Sequence, residues 1–170
     1  MSKRRKVVLV FLFLLAVPFL LPEAKIIPVL GASQKDWHQD TFWYEPWGSS
    51  GTHKGVDIFG KKGQSVISAS YGLVFYTGYF SKGGHVALVL GPKWRVHYYA
   101  HLDSVEVSVG SMIGTATKIG TLGDSGNAKG KPPHLHYSLV SLIPFPWLID
   151  GSTQGYKKAF YLDPTAYFSF

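Results

Sequence analysis

Gly72-Leu73-Val74-Phe75-Tyr76-Thr77-Gly78, followed by His85-Val86-Ala87-Leu88-Val89-Leu90 and Val96-His97-Tyr98-Tyr99-Ala100-His101, is the part of the chain that decides its fold. Each run is short, rich in β-branched and aromatic residues, and flanked by glycine or other turn-forming residues. Such residues suit a pleated, half-buried surface, and breaks at this spacing suit tight turns between strands. Runs of the same kind cover residues 65–69, 105–109 and 135–140. Glycines punctuate them, as at Gly63, Gly83, Gly84, Gly91, Gly110 and Gly123. No strong amphipathic helix, internal repeat or low-complexity tract is visible. The pattern predicts an all-β, antiparallel domain.

Outward from this block the character changes. Residues 33–50 are aromatic and polar (Trp37, His38, Phe42, Trp43, Tyr44, Trp47), without a helical or strand period. Residues 25–50 therefore read as a lead-in that covers the core or lines a groove, ahead of a domain at 51–170. On the other side, Pro144 and Pro146 exclude a central strand, so the tail is expected to wrap the sheet as irregular structure.

Residues 1–24 form a third region. Lys3-Arg4-Arg5-Lys6 precedes an apolar run from Val7 to Leu21, interrupted by Pro18, which fits the plan of an export signal. The run is short against the roughly 20 residues of a full membrane span. Ala24 and Ala32 each offer a small residue before a candidate cut, neither in a clean A-x-A site. A cleaved signal and an uncleaved anchor both place the domain outside the cytoplasm, in the periplasm or cell envelope, free or held at the inner membrane through residues 7–21.

The chain has no cysteine, so disulfides and thiolate metal sites are excluded and any metal must be held by His, Asp or Glu. Its net charge of +7 falls to +4 if the first 24 residues are removed. That balance is mildly basic, and no basic cluster is interleaved with aromatics in the remainder, so nucleic acid is not an expected partner.

Three short segments carry candidate chemistry. In Pro132-Pro133-His134-Leu135-His136 the two imidazoles, two apart, share one face if the segment is a strand; both can then reach one ion, or one can bind it while the other works beside it. In His53-Lys54-Gly55-Val56-Asp57 a straight strand would separate the end residues by about 13 Å. Only a bend at the glycine brings them together. In Val96–Asp103 the alternation predicts that His97, Tyr99 and His101 share a face. Together the segments provide about the three protein ligands that a catalytic zinc site needs, with histidines to spare for proton transfer.

The three motifs in this order resemble the lysostaphin-type (LytM-like) zinc endopeptidases, which cut peptide cross-links in bacterial peptidoglycan. The resemblance runs from His53 to Tyr161-Leu162-Asp163-Pro164. It implies a twisted antiparallel sheet whose long loops form an open active-site groove. It also implies one Zn2+ per chain on His53, Asp57 and His136, with His134 as general base and His101 stabilising the oxyanion. The implied partners are peptidoglycan peptide stems, met by a monomer. Tyr71 and Ser111 depart from the family's pattern at turn positions, where little effect is expected. His85 and His97, outside the motifs, are expected to be structural or surface residues. Residues 33–50 are too short for an inhibitory segment, so the site is expected to be open. The segment 124–133 and the Pro144–Trp147 tail resemble the Gram-negative branch, which implies D-alanyl to diaminopimelate bonds as substrate. Two alternatives stand beside this: a non-catalytic wall-binding or hydrolase-activating member, and a glycyl-glycine endopeptidase.

Overall fold

A computed structural model describes residues 1–24 and 26–168. Its elements are helix α1 (Lys3–Leu20) and strands β1 (Val56–Phe59), β2 (Ser65–Ile67), β3 (Gly72–Phe80), β4 (Gly84–Gly91), β5 (Arg95–Val105), β6 (Met112–Ile113), β7 (Lys118–Leu122), β8 (His134–Ser141) and β9 (Tyr161–Leu162). The strands form one open sheet in the order β1-β8-β5-β4-β3-β6. The short β2 pairs with β7, which joins β5, and β9 pairs with β8; every pairing is antiparallel. The predicted all-β domain is the one that forms. Around it, the tail after β8 is a series of single turns with the two-residue β9 among them.

Alternation along each strand divides the sheet into two faces. Val56, Ile58, Ala87, Val89, Tyr99, Leu135 and Tyr137 pack into the core, together with Val66, Ile119 and Leu122 from the β2–β7 pair. Val29 and Trp37 of the lead-in and Phe168 of the tail complete that core. Residues of opposite phase, Asp57, Phe59, Tyr98, Ala100, His134, His136 and Ser138, line a groove on the other face.

Two sequence expectations are corrected. Residues 105–109 do not form a strand of their own: Val105 ends β5, and the chain then turns through Gly110 at φ 89°. β1 and β7, in contrast, were not marked by any run of strand-forming residues. β7 contains Gly120, where a Cβ would sit 2.0 Å from the carbonyl oxygen of Ser104, so the close approach of β5 requires glycine inside that strand.

The second correction concerns β5. His97 and Tyr99 face the core as alternation demands, but His101 does not join them. Ala87 pairs with Tyr99, whereas two residues along β4 His85 pairs with Leu102, three residues along β5. The extra residue is a β-bulge, with His101 at φ 64°. It restores Leu102 to the core and sends His101 to the groove face beside Ala100.

At the N-terminus, the Ser2 side chain caps α1 by accepting from Arg5 N at 3.4 Å. No helix among the described residues is long and apolar enough to cross a membrane.

Candidate active site

The three sequence segments meet where β1, β8 and β5 run side by side. Across the antiparallel pairs, Asp57 stands opposite His136 and His136 opposite Ala100. Asp57 and His136 therefore share the groove face, and the small Ala100 leaves the space beside them open. His134 lies on the same face, two residues from His136 and opposite Phe59. The expectation drawn from their spacing holds.

His53 reaches the group through a bend at Gly55, the one route left by the length of an extended segment. Its Nε2 lies 3.0 Å from Asp57 Oδ1. The bend packs directly on β8: a Cβ on Gly55 would lie 2.4 Å from Tyr137 O and 2.7 Å from Ser138 Oγ. Glycine is needed here for close approach.

His53 Nε2, Asp57 Oδ1 and His136 Nδ1 converge. The nitrogens are 3.1 Å apart, and His136 Nδ1 is 2.7 Å from the carboxylate oxygen. The other nitrogen of each ring is held from outside: His53 Nδ1–H donates to Thr41 O at 3.0 Å, and His136 Nε2–H donates to Ser138 Oγ at 3.0 Å. With those tautomers, three lone-pair acceptors face one point, an arrangement that calls for a cation. Two imidazoles and a carboxylate, each imidazole oriented by an outer hydrogen bond, form a donor set suited to zinc with a further position open. Ligand atoms of these three residues all lie within 4.8 Å of one another.

His134 and His101 stand beside the cluster with the same construction. His134 Nδ1–H donates to Pro132 O at 2.8 Å, and His101 Nδ1–H donates to Ser125 O at 2.9 Å. Each thus keeps Nε2 free to exchange a proton. Their ring centroids are 5.0 Å apart, and His134 Nε2 lies 4.0 Å from Asp57 Oδ2. The loop carrying Ser125 is itself fixed, since Ser125 Oγ donates to Leu102 O and accepts from His85 N.

With their ring protons turned inward instead, the imidazoles of His136 and His53 donate to Asp57: burial alone would raise its carboxyl, but hydrogen bonds from His136 and His53 outweigh that and hold the group well below the usual carboxylate range. Burial, followed by the nearness of His136 and His134, pushes His101 down to about 4. It is therefore neutral near pH 7. Burial also pushes Tyr98, at the side of the groove, up to about 12.

The lead-in forms one wall. Trp43 N donates to His53 O and His53 N donates to Tyr44 O, which locks the histidine from both sides of its backbone. Trp47 stacks on its ring with centroids 4.2 Å apart. No side chain of residues 33–50 hydrogen-bonds the three converging atoms among the described residues, and the groove of about 1000 Å³ beyond them is open. These supports were not legible in the sequence: Thr41, Pro132 and Ser125 contribute carbonyl groups that every residue possesses. His97 is buried in the core, with Nδ1 2.6 Å from Tyr137 Oη, and His85 is exposed against Tyr79.

The sequence and fold have counterparts in known proteins. The model of peptidase family M23 matches residues 51–142. The L-Ala--D-Glu endopeptidase of Bacillus subtilis (strain 168) is 31% identical over 140 residues, which is 72% of this chain and 43% of that protein. Murein hydrolase activator NlpD of Escherichia coli (strain K12) is 29% identical over 118 residues, 69% of this chain and 26% of that one. This chain thus spans less than half the length of either relative. The catalytic domain of lysostaphin from Staphylococcus simulans has the same fold, with a TM-score of 0.59 at 23% identity, over 79% of this chain and 96% of that domain. Sheet and sequence agree, and the chain belongs to peptidase family M23.

Proposed function

We propose that this protein is an exported, zinc-dependent endopeptidase that hydrolyses peptide cross-links of peptidoglycan, with D-alanyl to diaminopimelate bonds as its substrate. The observation that carries the reading is the convergence of His53 Nε2, Asp57 Oδ1 and His136 Nδ1 beside two further imidazoles whose Nε2 atoms are free.

His53, Asp57 and His136 would hold the zinc, which would lower the pKa of a water to about 7 and act as a Lewis acid toward the scissile carbonyl. The chain's own residues do the rest. His134 takes the proton of the attacking water at Nε2, because its Nδ1–H is committed to Pro132 O. As the oxygen–carbon bond forms and the carbon–nitrogen bond breaks, His134 returns that proton to the leaving amine. His101, anchored by donating Nδ1–H to Ser125 O, is neutral at rest and takes up a second proton from solvent at Nε2 as charge develops on the substrate oxygen, which it then stabilises. Trp47 and the lead-in wall keep the His53 ring from rotating.

A second reading, a hydrolase activator without activity of its own, is favoured by the similarity to NlpD. The complete set of five residues argues for catalysis. Purified protein incubated with cross-linked muropeptides and with a pentaglycine peptide, with and without chelator, separates the readings. Chelator-sensitive release of D-alanyl to diaminopimelate products is expected. Cleavage of pentaglycine alone would reassign the substrate, and no chelator-sensitive cleavage of either would overturn the enzyme reading.

A further inference from the structure

Both positions at which the sequence offers a signal cut lie within the folded molecule. A cut after Ala32 would remove Val29, which is 1% exposed and part of the core. It would also break the bonds from Leu30 N to Ser65 O and from Ile67 N to Pro28 O, both 3.0 Å, that line this segment along β2. A cut after Ala24 would remove Glu23, whose side chain is 3% exposed and paired with Arg95 and, at 3.5 Å, Lys93. Among the described residues, the Arg95 guanidinium, itself 9% exposed, would keep Tyr167 alone, which it meets through Nη2 at 3.0 Å and over the ring. Removing one partner of a buried ion pair strands the other charge.

The turn that makes this contact is built for it. Lys93 and Trp94 both stand in the left-handed region, at φ 57° and 56°, where residues with side chains are seldom held unless their surroundings enforce it. Three consecutive residues there grip the N-terminal segment: Lys93 and Arg95 hold Glu23, and Trp94 Nε1 donates to Leu15 O at 2.9 Å.

We infer that the chain keeps its N-terminal segment and that α1 seats the domain on a bilayer of anionic phospholipid; this rests on the export reading above. Val7 to Leu14 are each more than half exposed and occupy every side of the helix, which suits burial among acyl chains rather than lying along the surface, and Lys3 to Lys6 match anionic headgroups. The helix stops short of spanning, so a second contact is needed for stable attachment. The same turn supplies it: Trp94 O accepts from Leu142 N at 2.9 Å, which starts a loop exposing Leu142, Ile143, Trp147 and Ile149, with Trp147 75% exposed.

The test uses the full chain with a C-terminal tag in a Gram-negative host. Protease added to spheroplasts reads export through loss of the tag, and fractionation with intact mass reads processing. An uncut chain in the membrane fraction, with its tag digested, is expected. Glu23→Ala should lower Tm by about 10 °C, with recovery in Glu23→Leu/Arg95→Met, and Trp147→Glu should move protein to the soluble fraction. A mature N-terminus anywhere after Lys6 overturns the inference, as does an exported, uncut chain found only in the soluble fraction. A protected tag overturns the export reading and the lipid seat with it. Hydrolysis takes no part in the readout, so an inactive protein leaves these outcomes intact.

Discussion

The two faces of β5 and β8 share one backbone and follow opposite rules. On the core face Tyr99, Leu135, Tyr137 and Leu139 are at most 2% exposed, and the one imidazole among them, His97, is neutral and bonded to Tyr137. On the groove face, displaced by a single residue, His134 and His136 stand near Asp57, and their outward nitrogens are tied to Pro132 O and Ser138 Oγ. Burial deprives a histidine of charge on the first face. On the second, polar groups are gathered so that their lone pairs converge. The difference lies in neighbours: His97 finds one hydroxyl, whereas His136 finds a carboxylate and a second imidazole within 5.0 Å between ring centroids.

The sharpest way to break this contrast is to remove a converging ligand. His136→Ala should abolish zinc binding and reduce activity by roughly 10³-fold or more, as loss of a residue that acts within a unit does; metal analysis beside a muropeptide assay checks it. His134→Ala should instead keep its zinc and lose about 10²- to 10⁴-fold in activity, the usual worth of a positioned base. Equal zinc loss in the two variants would erase the division between ligand and base.

A smaller effect is expected one step outward. Ser138→Ala frees His136 Nε2 and should weaken zinc affinity by about 10- to 100-fold, measured by competition with a chelator. If affinity is unchanged, the outer hydrogen bond does not orient the ring.

His97 tests the core face. Burial, then the nearby Arg95 charge, pushes it down to about 4, below the ordinary value of about 6.5. In this interval the unfolded chain binds the proton and the folded chain does not. The stabilisation is therefore complete above pH 6.5 and is lost as pH falls to about 4, amounting to about 3 kcal/mol. His97→Leu should flatten that part of the stability profile, read by denaturant unfolding across pH, while activity at pH 7 changes little.

Much of the sheet was legible because β3, β4, β5 and β8 are long enough to display alternation, and because glycine marks the start of β3 and both ends of β4. β1 and β7 were not: four and five residues offer little pattern, and Gly120 interrupts the second. The site was legible where its geometry is local. His134 and His136 share a face by strand periodicity, and the bend at Gly55 follows from the reach of an extended chain. His101 was misplaced by the same reasoning, since no residue type announces the bulge that turns it to the groove.

By itself the sequence determined the antiparallel β class, the exclusion of cysteine chemistry, the two-residue periodicity of the His134–His136 pair and the need for a bend between His53 and Asp57. These follow from side-chain chemistry and chain geometry over a few residues. Tertiary structure decided that β1, β8 and β5 lie side by side so that three acceptors meet. It also decided which ring nitrogen faces the groove, and that Glu23 and Val29 belong to the folded molecule. Those outcomes depend on partners up to 83 positions apart, as His53 and His136 are, and no local pattern encodes such pairings.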